Sequence, residues 1–166
     1  GELASHDTHA LIAATLGGLL ADTEERVNVV NAPAIAKARG INLVERKVAD
    51  AGRHASLLTL SGSAVVGGTV ANGEPRLVRL QEHWLDMAPS GSMLITHHQD
   101  MPGTVGKVGV LLGESDVNIS AMYLARTDPR ADAYMILALD DAPDAAVAER
   151  IRGMDAMLDL WLIRLD

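Results

Sequence analysis

Residues 97–103 read His-His-Gln-Asp-Met-Pro-Gly and run into Thr-Val-Gly-Lys-Val-Gly-Val-Leu-Leu-Gly, with Asn118 a few residues further on. Asp100 offers a carboxylate that either caps the following helix or takes a ligand's ammonium group. Pro102 has a fixed φ and no amide hydrogen to lose, so it suits a helix start, and Gly103 leaves bare backbone beside it. Free amides at such a start attract a carboxylate or a phosphate. The side-chain amide of Asn118 both donates and accepts. Together these groups form the inventory that recognises a zwitterionic amino acid. His97 and His98 are neighbours on a strand and leave on opposite faces, so one of them can face a ligand but the two cannot share a metal.

Gly103, Gly106, Gly109 and Gly113 recur along the helix beside an apolar stripe of Val105, Val108, Leu111 and Leu112. An interior glycine costs about 1 kcal/mol relative to alanine, so the run implies close approach of another backbone or of a ligand. Other candidates carry less chemistry. Ser61, Ser63 and Ser90 lie in Gly-rich turns without a partnered base. His6, Asp7 and His9 read as a solvated first helical turn. The chain holds no cysteine, which excludes disulfides, thiolate metal sites and a cysteine nucleophile. With no Phe, the core is built from Leu, Val, Ile, Ala and seven Met, and Trp161 reads as a core or interface anchor. A net charge of −8 and the absence of a basic cluster with interleaved aromatics argue against nucleic acid and acidic membranes as partners. The apolar run at 11–21 is shorter than the ~20 residues that cross a bilayer, and a cytoplasmic protein is expected. Because the sequence opens on Gly1 rather than Met, it is expected to belong to a longer protein.

The elements that position these groups divide near Pro89-Ser90-Gly91-Ser92. Residues 1–91 carry 8 basic and 10 acidic side chains, whereas 92–166 carry 6 and 12. Turn chemistry coincides with that shift, which gives two small domains, 1–91 and 92–166. In the first, a helix over 8–20 precedes an acidic turn at 22–25. Asn31 and Pro33 open a second helix that ends at Gly40. Strand-like runs follow at 41–49, 55–61, 64–71, 75–81 and 83–87, with Asn72-Gly73 as a two-residue hairpin turn. The second domain reads as strand 93–98, helix 103–114, strand 117–127, strand 133–139, helix 143–154 and strand 158–165. The class is therefore α+β: a small helix-plus-antiparallel-sheet domain, then a ferredoxin-like βαββαβ domain. In that order Asn118 is expected beside the end of the first strand.

HHQDMPGTVGKVGVLLGESDVNISAMYLAR resembles the opening of an ACT domain, and the likeness extends through AYMILALDD to LWLIRLD. RVNVVNAPAIAKARGINLVERK and LSGSAVVGGTVANGEPRLVRLQEHWLDMAPSGSMLI resemble the intervening domain that precedes the ACT domain in long-form D-3-phosphoglycerate dehydrogenases. The resemblance implies a regulatory and oligomerisation region, with ACT domains paired side by side into a dimer or tetramer and L-serine or a similar amino acid at their interface. It implies effector contacts at His98, Asp100, Pro102, Gly103 and Asn118, although Asp100 stands where some relatives have Asn. It also implies an anion site at Arg76, with Arg79 and His83 as exposed alternatives on the same hairpin, although Ala88 stands where one branch has Arg. The parent enzyme would oxidise 3-phosphoglycerate with NAD. This chain shows neither GxGxxG after a strand nor a Walker-type motif, so no cofactor, metal or catalytic residue is assigned within it. The smaller subunit of an L-serine dehydratase, and an ACT assembly module without ligand, are the alternative readings.

Overall fold

The computed structural model describes residues 1–20, 27, 28 and 30–165. The acidic turn expected at 22–25 lies outside them. The chain divides into two compact units, Gly1–Leu57 and Leu58–Asp166.

The first unit holds helices α1 (His9–Leu19) and α2 (Ala32–Ala38). They meet through Leu16, Ala32 and Ala36, with Ile12, Val27 and Ile41 at the margin. Pro33 stands in the first turn of α2 as expected, but Asn31 does not cap with its side chain. Its Oδ1 accepts instead from the Asn28 amide at 2.7 Å. The strand expected at 41–49 does not form. Beyond Ile41 its apolar residues Leu43, Val44 and Val48 stay outside, Val44 at 79% exposure, and no described strand lies beside the run to complete a ladder. Alternating apolar residues make a strand only where a neighbour supplies both hydrogen bonds and cover.

The second unit contains two four-stranded antiparallel sheets. One is a meander of β1 (Leu58–Ser61), β2 (Val65–Ala71), β3 (Glu74–Leu80) and β4 (His83–Met87). The other takes β5 (Ser92–Gln99), β6 (Ile119–Arg126), β7 (Asp132–Leu139) and β8 (Met157–Arg164) in the order β6-β7-β5-β8. Helix α3 (Thr104–Gly113) links β5 to β6, and α4 (Ala145–Arg152) links β7 to β8. This is the expected βαββαβ order, its boundaries within two residues of those read from the sequence.

Each face of the β5–β8 sheet buries a different parity of β5. On one face Leu94, Met135, Leu137 and Leu139 pack with Val108 and Leu112 of α3 and Val147 and Ile151 of α4. On the other, Met93, Ile95, Ile136 and Ala138 meet Leu80, Leu85 and Met87 of the meander. The meander therefore shares a core with residues 92–166. Alternation along β4 turns His83, Leu85 and Met87 inward, so His83 is buried rather than exposed on the hairpin.

Asn72 and Gly73 join β2 to β3 with φ of 54° and 81°. Both positive values identify the turn whose twist matches paired strands. A Cβ at Gly73 would meet nothing within 4 Å, so only the backbone conformation opposes a side chain there. Gly73→Ala is expected to destabilise this unit by about 1 kcal/mol. Urea unfolding followed by the fluorescence of Trp84 and Trp161 measures it, with the midpoint falling and the slope unchanged.

Candidate functional site

β5 ends at Gln99, and the loop 100–103 turns the chain into α3. The Asp100 amide donates to the Ala131 carbonyl at 2.8 Å, tying this loop to the β6–β7 connection. Gly103, with φ 89°, takes the left-handed conformation that directs the chain into the helix. The first turn of α3 has no side-chain cap, and Lys107 donates back to the Gly103 carbonyl at 2.9 Å. The Thr104 amide donates to the Met101 carbonyl at 3.2 Å, which leaves the Val105 and Gly106 amides without an acceptor within the helix, and exposed Pro102 and Gly103 lie beside them.

Of the two readings open for Asp100, capping is not the one adopted. Its Oδ2 accepts from Arg126 Nη1 and, at 3.2 Å, from the Arg130 amide. These two hydrogen bonds, the guanidinium's first, hold the carboxyl below the ordinary carboxylate range. The Asp100 side chain is 18% exposed, against 50% for Arg126. His98 is buried on the helix-covered face, its Nδ1 3.1 Å from Thr96 Oγ1. Burial lowers the affinity of its imidazole for a proton, against the pull of Asp100. His97 leaves on the opposite face, stacked on Tyr134 at 4.7 Å between centroids.

Asn118 is not beside the end of β5. Ile119 pairs with Leu139, which pairs with Ser92, while Arg126 pairs with Ala133, which pairs with His98. β5 and β6 are parallel, so Asn118 lies at the start of β5 and Asp100 beyond its finish. The eight steps from Ser92 to Asp100, at ~3.3 Å each, put roughly 26 Å between those levels. The Asn118 Nδ2 donates to Asp140 Oδ2 at 2.7 Å. Within one chain, His98, Asp100, Pro102 and Gly103 are together and Asn118 is apart.

The glycines of α3 do not approach another backbone. A Cβ at Gly106, Gly109 or Gly113 would meet nothing within 4 Å. The possible anion residues are each engaged separately. Arg76 Nε lies 2.6 Å from Asp86 Oδ1. Arg79 Nε donates to the Gln81 carbonyl at 2.8 Å, its guanidinium 5.6 Å from the Trp84 ring centre. His83 Nε2 lies 3.3 Å from Glu82 Oε1. Sequence reasoning missed Arg126 and Arg130. The signal was available: eight-residue strands β5 and β6, laid parallel, put Arg126 level with the end of β5.

Residues 1–81 match the family model of the D-3-phosphoglycerate dehydrogenase intervening domain, and residues 92–155 match that of the ACT domain. A D-3-phosphoglycerate dehydrogenase of Synechocystis is 37% identical over 174 residues, covering 99% of this chain and 31% of that protein. One from Methanocaldococcus jannaschii is 31% identical, covering 99% and 32%. One from Mycobacterium tuberculosis is 36% identical, covering 94% and 31%. The chain thus spans about a third of the length of these relatives, at their C-terminal part. Among the described residues no helix is long and apolar enough to cross a membrane.

A carboxyl held below its unfolded value stabilises the fold above the unfolded pKa and loses that contribution as pH falls through the folded value. Replacing Asp100 by Asn should therefore open a stability gap to the wild type at neutral pH. The gap should close as pH drops below about 4. Urea titrations across a pH series measure it, and a gap that persists undiminished into strong acid would mean that the carboxylate charge contributes nothing.

Proposed function

The chain joins the intervening domain of the D-3-phosphoglycerate dehydrogenases to an ACT domain, and on that premise we propose that it is the regulatory and oligomerisation region of such an enzyme in L-serine biosynthesis. L-serine or a related amino acid binds where two ACT domains meet. The modules are residues 1–91 and 92–166. In the longer protein 3-phosphoglycerate is oxidised with NAD in the cytoplasm. The sequence carries no GxGxxG after a strand to hold a dinucleotide pyrophosphate, and no chemical step is assigned to this chain.

The observation that carries this reading is the separation of Asn118 from Asp100 along the sheet. A site that uses both cannot close within one chain. β6 is an edge strand, with Met122 and Leu124 exposed on its helix-covered side. A two-fold axis beside the middle of β6, at its free edge and perpendicular to the sheet, pairs that strand with its copy in antiparallel fashion and extends the sheet. It also carries the partner subunit's Asn118 to the Arg126 end, the end of the sheet at which Asp100 and the start of α3 lie. The ligand's ammonium group then meets the Asp100 carboxylate, and its carboxylate meets the α3 amides. A dimer, or a tetramer built from it, contains two such sites. Because the ligand touches both subunits, it shifts their arrangement by its difference in affinity between the two states.

Calorimetry with L-serine, glycine and D-serine tests the reading. Asp100→Ala and Asn118→Ala should each weaken L-serine binding roughly tenfold or more. An equimolar mixture of the two variants should regain binding, since each mixed dimer holds one intact site. Binding of no amino acid by the wild type would leave the ACT pair as an assembly surface. Loss in both variants without recovery on mixing would place each site within a single subunit.

A further inference from the structure

We propose that Arg126 and the backbone amide of Arg130 form a clamp that positions Asp100, locking one carboxylate oxygen and presenting the other to a ligand ammonium group. This rests on the amino-acid site proposed above and assigns to it a part that the sequence reading did not contain. Arg126 and Arg130 act through Asp100 and are positioning residues.

Three observations carry it. Both donors converge on the same oxygen, Oδ2, and among the described residues Oδ1 has no partner. A guanidinium that merely neutralised the acid could take both oxygens in a fork, the pairing arginine and carboxylate favour. The second observation is the reach of Arg126. Its strand neighbour is Ala133, which pairs in turn with His98. With strands about 4.8 Å apart, the α-carbons of Arg126 and His98 are about 10 Å apart. Ala133, fully buried, is the small residue between them. The third is Arg130 itself, whose φ is 64°. A non-glycine residue in that conformation is disfavoured, and here it aims the amide at Asp100.

The charged and titratable groups around Asp100 are Arg126 from β6, Arg130 from the β6–β7 connection and His98 from β5. With His98 held toward its neutral form by burial, Arg126 is the main side-chain partner that lowers the carboxyl's affinity for a proton, through its hydrogen bond first and its charge after that. An acceptor fixed in orientation and charge loses little freedom when the ligand arrives, which favours primary-ammonium amino acids over hydroxy acids of the same shape.

The test is L-serine affinity of the whole chain, measured by calorimetry from neutral pH into the acid range. Arg126→Gln should weaken binding about tenfold at neutral pH. It should also move the acid limb of affinity upward, toward the ordinary aspartate value of about 3.9. Arg126→Lys should recover part of both. In an Asp100→Asn background, Arg126→Gln should cost no further affinity, a result that general loosening of the fold would not give. Arg126→Gln binding as tightly as the wild type, or more tightly, with an unmoved acid limb would overturn the clamp while leaving the site intact. If the wild type binds no amino acid, the site itself fails and the clamp with it.

Discussion

β5 is buried on both faces, and that constraint locates everything around Asp100. Leu94, Thr96 and His98 lie under the helices, while Met93 and Ile95 lie under the meander. A strand buried on both sides cannot slide by one residue without exchanging its entire apolar set between two different cores. Its register is also fixed laterally, by β7 on one side and β8 on the other. The loop that follows therefore leaves the sheet at one place and height. The polar cluster of His98, Asp100, Arg126 and Arg130 inherits its geometry from aliphatic packing several residues away.

Electrostatics then refine what packing has placed. The imidazole of His98 and the carboxyl of Asp100 are two residues apart on one chain, yet their environments bias them differently. Burial disfavours charge on the first, whereas donors from two other segments favour charge on the second. Proximity along the sequence does not produce this difference. It comes from the burial of His98 on the one hand and, on the other, from Arg126 and Arg130, which approach Asp100 from the far side of β7.

Periodicity and turn chemistry were legible where they act locally. The apolar stripe of α3, the Asn72-Gly73 turn and the βαββαβ order follow from neighbours within a few residues, and the structure realises them. Residues 41–49 were misread because strand formation depends on a partner, which local pattern does not supply. Asn118 was misplaced for a related reason: its position relative to Asp100 depends on the parallel relation of β5 and β6, a property of sheet order. His83 looked exposed because a hairpin standing alone has a solvent face, while this one is packed on a second sheet. Arg126 passed unnoticed since a single charge at the end of an edge strand resembles ordinary solvation.

The Tyr123 hydroxyl donates to the Trp84 carbonyl at 2.6 Å. That bond fastens the middle of the outermost strand β6 to β4 of the overlying meander, so β6 cannot be displaced without pulling on another layer. Mechanically, β6 is a hinge leaf screwed to two plates. A force applied at the sheet's free margin is delivered to the backbone of residues 83–87.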